Sequence, residues 1–166
     1  MKLHFESDLD YQKAAIEAVC QLFRGQEINR TEFTVTRHSA GGVQSELGFV
    51  ENALGIGNRL TLLDDEIMSN LKDIQLRNGL APSGSLTSGD FTVEMETGTG
   101  KTYVYLRTIF ELNRQFGFTK FVIVVPSVAI KEGVYKTLKI TEDHFKALYS
   151  GQLTTISSMT RQNPDQ

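Results

Sequence analysis

Residues 91–103 have the sequence FTVEMETGTGKTY, and this stretch decides the predicted fold. Residues 91–95 are mostly apolar and predict a short β-strand. Residues 101–116 carry apolar side chains at helical spacing, and Gly117 stands where a helix commonly ends. The glycines between the two elements predict a tight loop that joins a strand to a helix.

The loop residues 96–102, ETGTGKT, match the second half of the phosphate-binding pattern G-x-x-x-x-G-K-[ST]. Glycines allow successive backbone N–H groups to face one anion, and the following helix adds its positive end. Lys101 is expected to reach the β- and γ-phosphates, and the Thr102 hydroxyl to bind Mg²⁺. The predicted nucleotide-binding residues of the loop are Thr97, Gly98, Thr99, Gly100, Lys101 and Thr102. The alternative is a glycine turn followed by a surface lysine.

Met95 occupies the position of the first glycine in that pattern. A side chain there implies a different entry into the loop, and we expect Met95 to pack beneath it. The chemistry of phosphate binding depends on Gly98, Gly100, Lys101 and Thr102, and all four are present.

A second strand and helix are predicted after the first pair. The run KFVIVV at residues 120–125 is apolar and β-branched, which is typical of a strand buried on both faces of a parallel sheet. Pro126 ends it, and residues 127–139 predict a helix capped by Ser127. The order strand, helix, strand, helix predicts a βαβα unit within an α/β fold.

Residues 9–23 predict an amphipathic helix that precedes this unit. Its expected apolar stripe consists of Tyr11, Ala14, Ala15, Ala18, Val19, Leu22 and Phe23, with Cys20 half-buried at the edge. Residues 26–89 are rich in turn signals and are interpreted as an insertion or linker. Within it, residues 64–78 predict a helix with Gly79 as its C-cap, and residues 82–89 a mobile connection.

Composition and charge exclude several classes of protein. The 166 residues contain one cysteine and three scattered histidines, which excludes a disulfide framework and a cysteine metal site. No apolar run is long enough to span a membrane, and the N-terminus does not resemble a signal peptide, so we predict a cytoplasmic protein. Residues 1–100 have a net charge of −7 and residues 101–147 one of +4. The basic segment suits a polyanionic partner, or is simply an unevenly charged surface.

The sequence EMETGTGKT resembles motif I of superfamily 2 helicases and translocases. Together with PSVAIKEGV at residues 126–134, it is similar to the restriction (Res) subunits of type III restriction-modification systems. The opening DYQKAAIEAV at residues 10–19 resembles the Gln motif that precedes motif I in that superfamily. The resemblance covers about residues 5–24 and 90–149, and motif I is its most specific part.

This resemblance implies a partial RecA-like P-loop NTPase domain with a parallel sheet, preceded by an N-terminal helix and a loop-rich insertion. The predicted parts are the helix with the Gln motif (1–25), the insertion (26–89), the βαβα core (90–149) and a polar tail (150–166). It further implies ATP and Mg²⁺ as cofactors, double-stranded DNA as substrate and a methyltransferase (Mod) subunit as partner.

Residue roles follow from the same resemblance. Gln12 would read adenine, since an amide can accept from N6–H₂ and donate to N7. Tyr11 would stack on the base or pack in the core. Motif Ia corresponds to Pro126, Ser127 and Lys131, which would contact a nucleic-acid phosphate at the edge of the sheet. The alternative is a strand-ending proline followed by an ordinary helix cap.

Hydrolysis of ATP needs a second acidic motif after another apolar strand. The only superficial match is Glu142-Asp143-His144, and it lacks that strand, so we interpret Thr141 and the acids as the start of a helix. No catalytic residue is therefore assigned. The first hypothesis is an ATP- and DNA-binding N-terminal fragment of a Res subunit that does not hydrolyse ATP alone and tends to aggregate. The alternatives are a non-catalytic nucleic-acid-binding module and an unrelated P-loop NTPase.

Overall fold

A computed structural model of the protein describes residues 9–28 and 58–149. Within these residues the chain forms four α-helices: α1 (Asp10–Leu22), α2 (Asp64–Arg77), α3 (Lys101–Phe116) and α4 (Val128–Leu148). The chain divides into two compact units, one comprising Ser7–Val124 and the other Met1–Glu6 with Val125–Gln166. The predicted polar tail and most of the first half of the insertion lie outside the described residues.

The predicted α/β fold is wrong for the described part of the chain, which contains no β-strand and therefore no parallel sheet. Residues 91–95 and 120–125 have no regular secondary structure. Val122 and Val124 are 89% and 87% exposed, where a central strand would bury them. The physical reason is that β-branched residues favour a strand only when neighbouring strands pair with it, and no such neighbour exists among residues 9–28 and 58–149.

Helix α1 is the centre of the first unit, where it packs against both α2 and α3. The main cluster of buried side chains joins α1 to α3 and the turn after it, and consists of Ile16, Cys20, Val104, Leu112 and Phe118. Phe23 contacts Phe118 edge to face, with ring centroids 5.4 Å apart. The core-facing side of α1 is rotated from the predicted stripe, because Cys20 is buried at 3% exposure and Tyr11 is 50% exposed.

Helix α2 belongs to the segment interpreted as an insertion, and it is firmly attached to α1. Its buried Asn70 donates to the carbonyls of Leu22 (3.1 Å) and Arg24 (2.9 Å) and accepts from Arg24 Nε (3.1 Å). Because the last carbonyls of a helix have no intrahelical partner, this amide satisfies the end of α1. The predicted stop of α2 is confirmed, since Gly79 follows its cap with φ of +70°.

The described part of the second unit is α4 and the residues around it. Ser127 is its N-cap, as predicted, and accepts a hydrogen bond from the Ile130 N–H at 3.3 Å. The expectation that Thr141 begins a new helix is wrong, because α4 continues without a break to Leu148. Thr141 is fully buried, and its hydroxyl donates to the Thr137 carbonyl at 2.8 Å, which satisfies it within the helix.

Candidate nucleotide-binding site

The loop before α3 has the backbone conformation that its glycines suggested. Gly98 and Gly100 lie in the left-handed region, with φ of +83° and +84°. Gly100 is the N-cap of α3, and its carbonyl accepts the N–H of Val104 at 3.0 Å. The first N–H groups of a helix have no intrahelical acceptor, so this end of α3 can donate to an anion. A strand before the loop and a helix after it were predicted. The helix is present, but the segment that precedes the loop is not a strand.

The side chains of the loop leave room for a ligand. Thr97, Gly98 and Lys101 are exposed, and Thr99 and Thr102 are partly exposed. A Cβ atom added at Gly98 would meet no atom within 4 Å. Lys101 and Thr102 are the first two residues of α3, so a cation and a hydroxyl stand at its positive end.

Gln12 is brought to the loop by α1. It is 6% exposed, and its amide Nε2 donates to the Thr99 carbonyl at 2.8 Å. The Thr99 hydroxyl in turn donates to the Glu96 carbonyl at 2.7 Å, which closes the loop on itself. Gln12 and the phosphate loop were predicted to share one site, and they lie in direct contact although 87 residues separate them in sequence.

Gly100 faces the same amide. A Cβ atom built on Gly100 would lie 2.7 Å from Gln12 Nε2, which is closer than non-bonded atoms approach. The absence of a side chain at this position therefore has two reasons, the left-handed backbone and the close approach of Gln12. Sequence reasoning anticipated the first reason only.

Met95 precedes the loop and contacts the hydrophobic core. It is partly buried and packs against the cluster that contains Ile16 and Val104. Tyr11, for which base stacking and core packing were both open, is half-exposed and outside the core. It is adjacent in sequence to Gln12, on the N-terminal turn of α1.

The three motif Ia residues lie in the second unit. Pro126 and Ser127 are exposed, and Lys131 is partly buried with its Nζ 5.9 Å from the centroid of the Tyr135 ring. These three residues were predicted to lie at the edge of a sheet. Residues 120–125 are not a strand, and the described residues contain no such sheet edge.

The acidic triplet at residues 142–144 lies inside α4, away from any strand end. Glu142 and Lys146 form an exposed ion pair of 2.5 Å. The hydrogen bond from Lys146 lowers the pKa of Glu142, and the same bond raises the pKa of Lys146. Nowhere in residues 9–28 and 58–149 do three His, Cys, Asp or Glu side chains converge as metal ligands would.

A groove between α1 and α3 was not anticipated from the sequence. Its volume is about 560 Å³, and Cys20 and Ile16 are among its lining residues. Six of the charged and amide side chains that line it recur every fourth residue, Lys13, Glu17 and Gln21 on α1 and Arg107, Glu111 and Gln115 on α3, and Arg114 lines it as well. That matched spacing is the sequence signal that indicates two facing polar surfaces.

Comparisons with known proteins extend over nearly the whole chain. The family described as "Type III restriction enzyme, res subunit" matches residues 7–164. The chain is 34% identical over 163 residues to the Res subunit of the type III restriction-modification enzyme EcoP15I from Escherichia coli, a match covering 95% of the chain and 15% of that protein. The EcoPI Res subunit of Escherichia phage P1 is 33% identical over 164 residues, with 96% and 15% covered.

A third relative matches more closely over a shorter part. The StyLTI Res subunit of Salmonella typhimurium is 48% identical over 71 residues, which is 40% of the chain and 7% of that protein. The chain thus spans about 15% of the length of the first two curated relatives. No helix in the described ranges has both the length and the apolar character needed to cross a membrane.

Proposed function

The chain belongs to the family of Res subunits of type III restriction enzymes, and from that premise we propose that its loop at residues 97–102 binds ATP together with Mg²⁺. This membership removes the alternative of an unrelated P-loop NTPase. The observation that carries the proposal is the contact between Gln12 and the loop, because an amide of the kind that can read adenine lies beside a glycine-rich backbone at the start of a helix.

The residues present fit a nucleoside triphosphate. The left-handed glycines turn the backbone ahead of α3, and the open space at Gly98 admits a phosphate group. Lys101 supplies the positive charge for the β- and γ-phosphates, and the Thr102 hydroxyl is a ligand for Mg²⁺. The metal would neutralise charge on the phosphates, and Thr102 is the residue of the loop that would hold it.

Calorimetric titration with Mg²⁺ and ATP tests this proposal. Lys101→Ala removes a charge-assisted hydrogen bond, which is worth about 1.5–3 kcal/mol and therefore about 10- to 150-fold in affinity. Lys72→Ala is the matched control, because Lys72 is an exposed lysine on α2 whose loss removes the same charge from the same unit. Equal affinities of wild type and Lys101→Ala would refute the site.

DNA contact is proposed for the start of α4. Ser127 caps this helix and Lys131 lies one turn inside it, so a hydroxyl and a cation stand near the positive end of α4, where a phosphate would be attracted. Lys131→Ala should weaken binding of double-stranded DNA and lower the salt dependence by about one counterion. Lys139→Ala, an exposed lysine further along α4, is the control, and equal losses in both variants would indicate only a general basic surface.

The 166 residues are proposed to bind ATP without hydrolysing it at an appreciable rate. The acidic triplet at residues 142–144 lies within α4, and its Glu142 is paired with Lys146. A phosphate-release assay with DNA present is expected to give no turnover above the Lys101→Ala variant, and a clear difference would contradict this proposal. ATP-dependent movement along DNA, DNA cleavage, a methyltransferase partner and a cytoplasmic location are proposed for the protein by its membership of the family. DNA binding that persists in Lys101→Ala and ignores ATP would instead favour a non-catalytic nucleic-acid-binding module.

A further inference from the structure

Gln12 makes a hydrogen bond to the backbone of the loop itself, at the Thr99 carbonyl. We infer that Gln12 is a positioning residue for the phosphate loop in addition to a reader of adenine, so that one amide couples recognition of the base to the shape of the phosphate site. This inference rests on the proposed function, and it assigns to Gln12 a task that base recognition alone does not require.

The donor and acceptor capacity of the amide allows both tasks at once. A glutamine side chain has two N–H donors and one carbonyl acceptor. One donor is used by the Thr99 carbonyl at 2.8 Å. The second donor and the carbonyl oxygen are the pair that adenine needs at N7 and at N6–H₂. Holding the loop therefore leaves the adenine-reading pair of Gln12 intact.

The surroundings of Gln12 fix this arrangement. The side chain is 6% exposed, so a change of partner would leave a buried polar group without a hydrogen bond. Thr99 is held from the other side by its own hydroxyl, which bonds to Glu96. Gly100 allows the amide to approach the backbone, because any side chain there would collide with Nε2. Three independent features thus serve a single contact between α1 and the loop.

Base recognition and loop positioning make different predictions for a ligand that has no base. If Gln12 only reads adenine, its loss leaves the affinity for inorganic triphosphate unchanged. If Gln12 also holds Thr99, its loss allows the loop to sample other conformations, and triphosphate binding weakens. The loss of one neutral hydrogen bond predicts a weakening of about 2- to 10-fold.

The experiment is a calorimetric titration of the chain with Mg²⁺–triphosphate and, separately, with Mg²⁺–ATP. Gln12→Met is the test variant, because methionine is neutral, similar in length and a good helix former. Gln21→Met is the matched control, since Gln21 lies on the same helix and bonds to Glu17 and Arg77 rather than to the loop. Gln12→Met should weaken triphosphate about 2- to 10-fold and ATP by more, while Gln21→Met changes neither.

The outcomes separate this inference from the proposed function. Unchanged triphosphate affinity in Gln12→Met, with weakened ATP binding, would overturn the positioning role and leave Gln12 as a base reader. A wild-type chain that binds neither ligand would overturn the proposed function and the inference with it. Sensitivity to Lys101→Ala together with insensitivity to Gln12→Met would overturn the inference alone.

A second measurement uses the wild-type chain and needs no variant to fold. Of the two side-chain amide protons of Gln12, one is bonded to the Thr99 carbonyl. Hydrogen exchange followed by nuclear magnetic resonance should therefore show one slow and one faster amide proton before any ligand is added. Exchange of both protons at the rate of an unstructured peptide would overturn the inference.

Discussion

Replacing Gly100 with alanine probes the contact between α1 and the loop without any ligand. Gly100 has a φ of +84°, and the alanine Cβ would lie 2.7 Å from the Nε2 atom of Gln12. The substitution therefore has two effects: it forces a residue with a side chain into the left-handed region, and it displaces the amide that bonds to Thr99.

The two effects have separable magnitudes. An L-residue other than glycine loses about 1–2 kcal/mol of stability in the left-handed conformation. Displacing Gln12 removes its 2.8 Å hydrogen bond to Thr99, which is worth about 0.5–1.5 kcal/mol. We therefore expect Gly100→Ala to lower the free energy of unfolding by about 1.5–3.5 kcal/mol. Gly98→Ala should cost only the backbone part, about 1–2 kcal/mol, because Gly98 has a φ of +83° and no neighbour within 4 Å.

Urea unfolding of the two variants and of wild type measures the difference. Gly98→Ala is the internal control for backbone strain, and the excess loss in Gly100→Ala reports the contact with Gln12. In a chain that already carries Gln12→Ala, the excess should disappear, since the colliding amide is gone. Equal losses for Gly100→Ala and Gly98→Ala in the wild-type background would refute the claim that Gln12 rests against Gly100.

Three further predictions concern the core and the segment predicted as a strand. Val122→Asp should change the free energy of unfolding by less than about 0.5 kcal/mol, because Val122 is 89% exposed. Leu106→Ala should cost about 2–5 kcal/mol, since Leu106 is 1% exposed, and a comparable loss at Val122 would indicate a buried strand instead. Burial, followed by the nearby charge of Glu111, raises the pKa of the Cys20 thiol from 9.0 to about 12. Thiol labelling at pH 8 should therefore be slow in the native chain and fast in urea, and stability should fall as the pH rises from 9 towards 12, because only the unfolded thiol ionises there. Equal labelling rates in the two conditions would contradict the burial of Cys20.

The helices could be predicted closely from the sequence where glycine marks their ends. Helix α3 begins and ends at the predicted residues, because Gly100 is its N-cap and Gly117 adopts the left-handed conformation that ends a helix. The core-facing side of α1 could not be predicted from apolar periodicity, since its buried face includes Gln12, a polar residue whose partner is the distant Thr99 carbonyl. A search for apolar periodicity counts a polar side chain as exposed, because it does not include the distant residue to which that side chain is hydrogen-bonded.

The prediction of the strands was wrong for a non-local reason. Residues 120–125 have strong β-propensity, yet a strand exists only when another strand lies alongside, and the identity of that neighbour is not encoded in the segment itself. The prediction that Thr141 begins a helix was wrong for a local reason. A threonine hydroxyl can bond to the preceding turn of a helix as easily as it can cap a new helix. The turn before α3, by contrast, could be predicted from its glycines, two of which are left-handed, while the hydrogen bond that joins it to Gln12 could not.

A titration of the isotope-labelled chain with Mg²⁺–ATP, followed residue by residue by nuclear magnetic resonance, locates any nucleotide directly. Binding at the loop predicts saturable shifts of the backbone amides of Gly98, Gly100, Lys101 and Thr102 and of the Gln12 side-chain amide. The backbone amide resonances of α2 should not shift, because α2 packs against α1 and not against α3. Shifts confined to the groove between α1 and α3, or no saturable shift at all, would contradict a nucleotide site at residues 97–102.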